Sequence, residues 1–438
     1  MDRTSDMRPS GEPRPSMRRF MTLVAITAAA MIPAIVLRIE GWRPNPILDA
    51  FLFGAAILAG GFFLSWGAEA AEKRISAGLI VAIVALITVL PEYAVDFYYA
   101  YSAGANPGSN YVHYAAANMT GANRLLVGLA WPLLVLLHWH RTRERAIPLL
   151  PANRTEVLFL LLPSVYAFTI LLKDAISVVD TVILVALFGV YMWRASDKGE
   201  GAEDDDDDEP GPAAALAELP AARQWLAMGA LTVVAAAVIL VSAEPFAEAM
   251  VDSGRLLGFD EFLLIQWLAP LASEAPAVVI AVLFVLSGRA ETGMATMISD
   301  KINQWTLLVG MLPLALSLGA GQLSPLPLDA RQHEEFFLTA AQSLFGIALL
   351  LRLRLGLASA AALAGLFAVQ VTLAVLWQGD EARTIAGLTW LAWAYIGLAA
   401  VIFALNVRSL PALAKPLWNR AIDDEQRSDA ASGSERRP

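Results

Sequence analysis

Twelve long apolar segments dominate this chain of 438 residues and limit what it can fold into. Most of them reach or approach the roughly 20 residues that an α-helix needs to cross a bilayer. Hydrophobic residues make up 57% of the chain and charged residues 16%, against about 25% charged in soluble proteins. We therefore predict an all-α, polytopic membrane protein rather than a soluble multi-domain enzyme. The segments are 20–37, 48–71, 76–103, 112–138, 154–172, 176–193, 223–250, 260–287, 292–319, 335–351, 357–377 and 385–406.

Basic residues in the predicted loops indicate an orientation for these segments. With a cytoplasmic N-terminus, the inside segments hold 23 of the 31 lysine and arginine residues, and the outside loops hold six. The other two, Arg124 and Lys301, lie inside apolar segments, where charges usually face a cavity or a partner. We therefore predict a multi-pass protein of the cell (inner) membrane, embedded in the lipid bilayer, with its N-terminus and C-terminus both cytoplasmic.

An acidic segment separates the apolar segments into two comparable groups. It contains Asp204–Asp208, Glu209 and three prolines, a composition typical of disordered cytoplasmic chain. A solvated spacer is the favoured interpretation, and a regulatory calcium site is the alternative. Most of the surplus negative charge lies here and in Asp423–Glu425, so the net charge of −10 does not indicate a nucleic-acid partner. The absence of cysteine excludes disulfides, thiolate metal sites and catalytic thiols.

Each half of the chain contains a proline-interrupted segment followed by a segment rich in polar residues. In the first half, Pro91 precedes a Leu-Leu-Val-Gly block at 125–128, and in the second half Pro276 precedes an identical block at 307–310. From the order of the segments, the helix with Pro91 runs from inside to outside, and the helix with Pro276 runs from outside to inside. The halves are therefore predicted to be inverted repeats of five helices each.

Inverted repeats with interrupted helices place a binding site near the middle of the bilayer. Each proline removes one backbone donor and frees a carbonyl oxygen one turn earlier, which then becomes available to a cation. The predicted regions are a cytoplasmic tail (1–19), an extra helix and loop (20–47), a first repeat (48–194), a disordered linker (195–222), a second repeat (223–377), an extra helix (378–406) and a cytoplasmic tail (407–438).

The residues around Pro91 carry a resemblance to the sodium/calcium exchanger superfamily of cation antiporters. Those proteins have two inverted repeats with a Gly-Thr-Ser-x-Pro-Glu motif on one helix and a Gly-Asn-x-x-Gly-Ser-Asn motif on the next. Thr88, Pro91 and Glu92 match the first motif, with Ile87 and Val89 in place of glycine and serine. The resemblance covers about residues 48–377 and is strongest in the repeat helices.

The other motif positions match to different degrees in the two repeats. In the first repeat the second motif is matched by Asn118, Gly121 and Asn123. In the second repeat Pro276 matches, whereas Ala277 stands at the glutamate position. Two acids depart from the motif there, because Glu274 precedes the proline and Asp300 occupies the position of the first asparagine, while Ser273 lies at the threonine position.

The resemblance implies a cation site between the two repeats, with Glu92 and Glu274 as the main ligands of the transported cation. Glu92 and Asp96 are four residues apart and so share one face of a helix. A hard cation such as calcium or sodium takes about six oxygen ligands, which carboxylate, amide and hydroxyl groups supply. The predicted cation-binding residues are Glu92, Glu274, Asp96, Asn118, Asn123, Thr88, Ser273, Asp300 and Asn303, and Thr120, Gln304 and Thr306 are additional oxygen donors.

A structural ion-pair network is the alternative interpretation of the same residues. The pairs would then be Arg124 with Asp96 or Glu92, and Lys301 with Asp300 or Glu274. For Arg124 and Lys301 we favour a counter-charge role over contact with the cation. The four acids and two basic residues leave a site charge of about −2, which one divalent ion, or two monovalent ions or protons, can balance.

The predicted function is secondary active antiport of Ca²⁺ or Na⁺ against H⁺ or Na⁺ by alternating access, with no cofactor beyond the transported cation. Ala277 and the intramembrane Lys301 favour a monovalent or proton-coupled exchanger. A degenerate, non-transporting membrane sensor or scaffold of the same fold is the alternative, and an ion channel is another. The apolar segments contain no nucleophile–base pair or histidine cluster that would indicate an enzyme. The sequence leaves the ion, the stoichiometry and the oligomeric state open.

Overall fold

The computed structural model describes residues 17–71, 89–196, 213, 215–216, 219–409 and 411. Within these residues, one helix corresponds to each of the twelve predicted segments. Thr88 and most of the predicted acidic linker lie outside the described residues. The helices are α1 (Met17–Glu40), α2 (Pro46–Ala71), α3 (Leu90–Ala105), α4 (Tyr111–Thr142), α5 (Arg154–Leu171), α6 (Val178–Ser196), α7 (Ala221–Leu257), α8 (Glu261–Leu286), α9 (Ala290–Ala320), α10 (Ala330–Leu350), α11 (Leu357–Leu376) and α12 (Glu381–Leu405).

The predicted all-α, polytopic fold is confirmed. Ten of the described helices are long and apolar enough to cross a membrane. The other two are α3, of which 16 residues are described, and α10, which begins with several polar residues. Helix α10 starts at Ala330, five residues before the predicted start, because Asp329 and Gln332 form a capping box at its N-terminus.

Two short antiparallel ladders join loops from the two halves of the chain. Strand β1 (Ala146–Pro148) pairs with β4 (Arg354–Gly356), and β2 (Ala175–Ile176) pairs with β3 (Leu326–Pro327). Six helices lie between β1 and β4 along the chain, and four lie between β2 and β3. Even numbers of crossings return the chain to the same side of a membrane, so both pairings agree with the predicted order of spans.

Buried apolar residues form two clusters, one centred on α2, α3 and α7 and the other on α4, α10 and α12. Helices α2 and α7, the first helices of the two repeats, lie against each other along much of their length. Small residues permit this approach, since Gly60 faces Ile239 and Gly67 faces Thr232. The two repeats therefore share one core instead of forming separate domains.

Each proline-containing helix packs against the polar helix of the opposite repeat. Helix α8 crosses α4 so closely that a methyl carbon on Gly121 would lie 1.8 Å from the carbonyl oxygen of Gln266. Helix α3 crosses α9 in the same way, and a methyl carbon on Gly104 would lie 2.0 Å from the carbonyl oxygen of Leu316. Only glycine fits at these two positions. This reciprocal packing is what two inverted repeats produce, and it brings the polar residues of both repeats to the centre of the bundle.

A wide π-helical turn interrupts each of the two polar helices. It spans Leu126–Ala130 in α4 and Gln304–Leu308 in α9. A proline follows each turn, Pro132 in α4 and Pro313 in α9, and cannot donate a backbone hydrogen bond to the preceding turn. Such turns are rare and occur often at functional sites. Their matching positions mark the same part of both repeats.

Candidate functional site

The two proline turns meet at one level of α2 and bring Glu92 and Glu274 together. A methyl carbon on Gly61 would lie 2.4 Å from Cγ of Pro276 and 3.6 Å from Cγ of Pro91, so both prolines flank this glycine. Glu92 and Glu274 are buried, and their carboxyl groups are close enough to interact electrostatically. The strongest charge acting on Glu92 is that of Glu274. The structure therefore brings the two main predicted ligands side by side.

The two glutamates have different hydrogen-bond partners. Gln304 Nε2 donates to Glu274 Oε1 at 2.5 Å from the first residue of the π-helical turn in α9. Neither carboxylate oxygen of Glu92 accepts a hydrogen bond from any residue that the structure describes, although the side chain is only 1% exposed. A buried carboxylate without donors is costly unless it holds a proton or a cation. Glu92 is therefore the less satisfied member of the pair.

Asp96 and Asp300 extend the acidic centre on either side of this pair. Asn118 Nδ2 donates to Asp96 Oδ1 at 2.9 Å, which leaves Asp96 Oδ2 and Asn118 Oδ1 without hydrogen bonds from described residues. Asp300 is partly exposed, but its Oδ2 is buried and also has no hydrogen-bond partner among the described residues. The charge of Glu274 acts on both aspartates. All four predicted intramembrane acids therefore belong to one electrostatic group.

The remaining predicted ligands surround this group with neutral oxygens. Tyr93 donates its hydroxyl hydrogen to Asn303 Oδ1 at 2.9 Å, so Tyr93 is a member of the site that the sequence analysis did not identify. Its position next to Glu92 was the available signal. Ser273 donates to the carbonyl oxygens of Ala269 and Pro270, each at 3.3 Å, and its oxygen remains able to accept or coordinate.

Two threonines, like Ser273, direct their hydroxyl hydrogens to backbone oxygens of their own helices. Thr120 donates to the carbonyl oxygen of Ala116 at 2.8 Å, and Thr306 donates to that of Ile302 at 2.6 Å. Both are buried, as are Asn118, Asn123 and Asn303. Thr88, the remaining predicted ligand, lies outside the described residues. The hydroxyl groups near the centre thus present oxygen atoms whose own hydrogens are already bonded elsewhere.

Lys301 bridges the two polar helices. Its Nζ donates to Oδ1 of Asn123 at 2.6 Å and to the backbone oxygen of the same residue at 3.1 Å. It also lies 4.7 Å from the centre of the Trp305 ring, a distance typical of a cation–π contact. Arg124 and Glu92 are the charged residues that act most on it. Lys301 therefore binds an amide oxygen that was predicted to bind the cation.

Arg124 has a carboxylate partner on α10, a helix that the sequence analysis did not connect with the site. Its Nη1 lies 2.5 Å from Glu335 Oε2, and both side chains are almost fully buried. Nε of Arg124 donates to the carbonyl oxygen of Thr120, and the guanidinium lies 5.1 Å from the centre of the Trp267 ring. Glu334 adds a second negative charge nearby. Among the described residues, Arg124 thus forms its ion pair with Glu335 and not with Asp96 or Glu92.

Carboxylates alone do not complete a metal-binding cage in the part of the chain that the structure describes. No three Asp, Glu, His or Cys side chains converge there as ligands of one ion. A cation at the Glu92–Glu274 pair therefore needs neutral oxygens as well. Asn118 and Gln304 have side-chain oxygens without described hydrogen-bond donors and fit this requirement.

The sequence matches the family model described as sodium/calcium exchanger protein over residues 47–196 and 228–376. The two matched segments contain the two proline-containing helices and the two polar helices described above. A search of curated proteins returns no match.

Solved structures with the same fold include proton and sodium exchangers. The crystal structure of the H⁺/Ca²⁺ exchanger CAX is 38% identical, with a TM-score of 0.83, and the match covers 92% of this chain and 99% of that one. YfkE is 13% identical, with a TM-score of 0.52, and the match covers 86% and 99%. The sodium-calcium exchanger NCX_Mj is 19% identical, with a TM-score of 0.50, and the match covers 75% and 99%. The last two similarities concern the fold alone.

Proposed function

Because this chain belongs to the sodium/calcium exchanger family, we propose that it is a secondary active antiporter that exchanges a cation for protons at the Glu92–Glu274 pair. Calcium is the cation we assign first, since the chain is 38% identical to an H⁺/Ca²⁺ exchanger over 92% of its length. Sodium is the second assignment. We also propose, from the distribution of basic residues, that the N-terminus and the C-terminus both lie in the cytoplasm.

The burial of Glu92 and Glu274 side by side, on the two proline turns that flank Gly61, is the observation that carries this proposal. Two carboxylates in contact and away from water repel each other strongly when both are ionised. The pair is stable only with a shared proton, with protons on both groups, or with a cation between them. Proton and cation therefore compete for one place, and this competition is the coupling that an antiporter requires.

Neighbouring residues define how each state of the pair is stabilised. Gln304 donates to Glu274 Oε1, so that carboxylate has a hydrogen-bond donor within the protein. Glu92 lacks described donors and is the member that gains most from a proton or a cation. Asp96 lies one turn after Glu92 on α3, Asn118 lies on the adjacent α4, and both offer further oxygens. We infer that Glu92 is the group that changes its proton during the cycle.

Alternating access requires the shared site to open to one side of the membrane at a time. Glu92 and Glu274 lie on α3 and α8, which pack closely on α9 and α4 of the opposite repeats. Helix α2 lies against the two proline turns, and α2 and α7 pack against each other more extensively than either packs against any other helix. We infer that α2 and α7 move relative to the other helices to open the site.

The test is flux in inverted vesicles with variants that keep the shape of each side chain. Glu92→Gln and Glu274→Gln are expected to abolish cation-dependent proton flux and proton-dependent Ca²⁺ or Na⁺ flux. Glu40→Gln, at an exposed position at the end of α1, is the control and should transport like the wild type. Unchanged flux in both site variants would contradict the assignment of the site.

A non-transporting sensor or scaffold is the second candidate function. The observation that favours it is the contact of Lys301 Nζ with Asn123, because an ammonium group then occupies an oxygen that a transported cation would use. Purified protein in liposomes would separate the two functions. Saturable cation binding without exchange of Ca²⁺, Na⁺, K⁺ or protons would favour the sensor, whereas exchange that depends on the counter-ion would favour the antiporter over both a sensor and a channel.

A further inference from the structure

An acidic cavity lies away from Glu92 and Glu274, the midplane pair, between the start of α2 and the last turns of α7. Its volume is about 300 Å³. It is lined by Arg43, Pro46, Asp49, Glu248, Ala249 and Asp252. By the predicted orientation this end of the bundle faces the outside of the cell. We call this cavity the α2–α7 vestibule.

Asp49 is the residue that marks the vestibule as a binding site. Its side chain is 3% exposed, and its Oδ1 has no hydrogen-bond partner among the described residues. The vestibule lining contains three carboxylates and one cation, Arg43, and Asp252 is also paired with Arg255 at 3.3 Å, so this group of side chains has a net charge of about −1 when all are ionised. The Arg43 Nη2 to Glu248 Oε2 distance is 3.3 Å, which is long for an ion pair of this type. The negative charge of the vestibule is therefore only partly neutralised by its own side chains.

We propose that the α2–α7 vestibule binds a hydrated divalent cation. A bare ion does not fit the geometry, because no three carboxylates of the described residues converge as direct ligands. A cation with about six waters, at about 30 Å³ for each water in the liquid, occupies about 180 Å³ and fits the cavity. The carboxylates then contact the ion through its water molecules.

The vestibule is connected to the helix that carries Glu92 and Asp96. Tyr98 of α3 donates its hydroxyl hydrogen to Glu248 Oε1 at 3.1 Å, and the neighbouring Tyr99 donates to the carbonyl oxygen of Ala247 at 3.2 Å. A cation that attracts Glu248 therefore acts on a residue bonded directly to α3. The vestibule binds cations before they reach the midplane pair, and it raises their local concentration next to α3.

Binding of CaCl₂ to the purified full-length protein tests this inference without a transport assay. The measurement is made by calorimetry or equilibrium dialysis, in the wild type and in an E92Q/E274Q variant whose midplane carboxylates are removed. We expect saturable Ca²⁺ binding to persist in E92Q/E274Q. Adding D49N to that variant should weaken this binding about tenfold, because one unit charge next to a divalent ion is lost. If these binding results hold but the wild type has no transport activity, the proposed exchange function is wrong and the proposed cation site in the vestibule is still supported.

Two further variants distinguish a binding role from a structural one. Arg43→Gln removes the competing cation and should tighten Ca²⁺ binding several-fold, which a purely structural Arg43 would not do. Glu244→Gln alters the neighbouring pair with Arg38, outside the vestibule lining, and should leave binding unchanged. Absence of saturable binding in E92Q/E274Q, an unchanged affinity in D49N, or equal weakening by Glu244→Gln and D49N would overturn the inference. If E92Q/E274Q fails to fold, the same differences in Ca²⁺ affinity can be measured in an otherwise wild-type chain that carries D49N, R43Q or E244Q.

Discussion

The polar helices α4 and α9 occupy equivalent places in the two repeats, yet they use their buried cations in opposite ways. Arg124 on α4 forms an ion pair with Glu335 on α10 and lies against Trp267. Lys301 on α9 donates instead to Asn123, a predicted ligand on α4. One positive charge is therefore neutralised by a carboxylate on α10, and the other remains next to the proposed cation site.

This difference shows that topology and charge are set by different parts of the sequence. The inverted repeats fix where the carboxylates meet, because the proline turns and the glycine contacts are reciprocal. Which charges remain free near the pair depends on partners outside the motifs, such as Glu335. The net charge of the site is then closer to that of four acids and one lysine than to that of four acids and two basic residues.

Loss of the Glu335 carboxylate is expected to have the largest effect on this comparison. Glu335→Gln leaves the guanidinium of Arg124 buried without its counter-charge, and breaking a buried pair in this way costs about 3–5 kcal/mol. Thermal unfolding of the purified protein in detergent should show a large drop in Tm. The double variant R124M/E335Q should recover most of the loss. An unchanged Tm in E335Q would mean that Arg124 has another partner.

The glycine contacts provide the second test, because they are the features that α4 and α9 share. Gly121→Ala places a methyl group against the carbonyl oxygen of Gln266, and Gly104→Ala places one against that of Leu316. Each should cost about 1–3 kcal/mol through overpacking and reduce the amount of folded protein in a thermal assay. Gly229→Ala, where nothing lies within 4 Å, is the control. A loss in only one of the two glycine variants would show that the repeats are not equivalent at these crossings.

Removal of the Lys301 charge is expected to change cation affinity by a smaller amount. Lys301→Met frees Asn123 and makes the site more negative by one charge, so Ca²⁺ binding should tighten about tenfold. Arg354→Met removes one charge from an exposed side chain at the start of strand β4 and should leave the dissociation constant unchanged. Weaker binding in K301M would instead mean that Lys301 holds Asn123 in position as a ligand.

The smallest effect concerns the N-terminal end of α4, where His113 contacts the cap of α10. Burial raises the pKa of Asp329, but hydrogen bonds from His113 and from the backbone of Gln332 and Arg331 outweigh it, so the pKa lies below its usual value. Asp329→Ala should cost about 0.5–1 kcal/mol at pH 7 as a lost N-cap, with only a small ion-pair contribution because the side chain is 46% exposed.

The pH dependence of this effect has a definite sign. A carboxyl group whose pKa is lowered on folding stabilises the folded state above the unfolded pKa of about 3.9, and this contribution disappears as the pH falls through the folded pKa. The difference in Tm between the wild type and D329A should therefore be fully present above about pH 5 and should shrink below about pH 4. An increase in the difference at low pH would contradict the assignment.

The sequence predicted the elements whose signals are local. The helices followed from runs of apolar residues, and the meeting of Glu92 with Glu274 followed from the two prolines and the inverted order of the spans. The predicted start of α10 is five residues late. The prediction rests on the apolar run and does not use the Asp-x-x-Gln cap that Asp329 and Gln332 form. The pairing of Arg124 with Glu335 joins residues more than 200 positions apart, and no periodicity or motif specifies such a contact.

The two ladders between the halves constrain the way in which this molecule can move. They bind the loop before α5 to the loop before α11, and the loop before α6 to the loop before α10, at opposite ends of the bundle. The helices that directly flank these loops are thereby fastened to one another as a frame, and they are α4, α5, α6, α9, α10 and α11. Helices α2 and α7 carry neither ladder and can slide past that frame without breaking a strand pairing. A disulfide engineered across either ladder should then be silent in flux, whereas one between α2 and α3 should stop it.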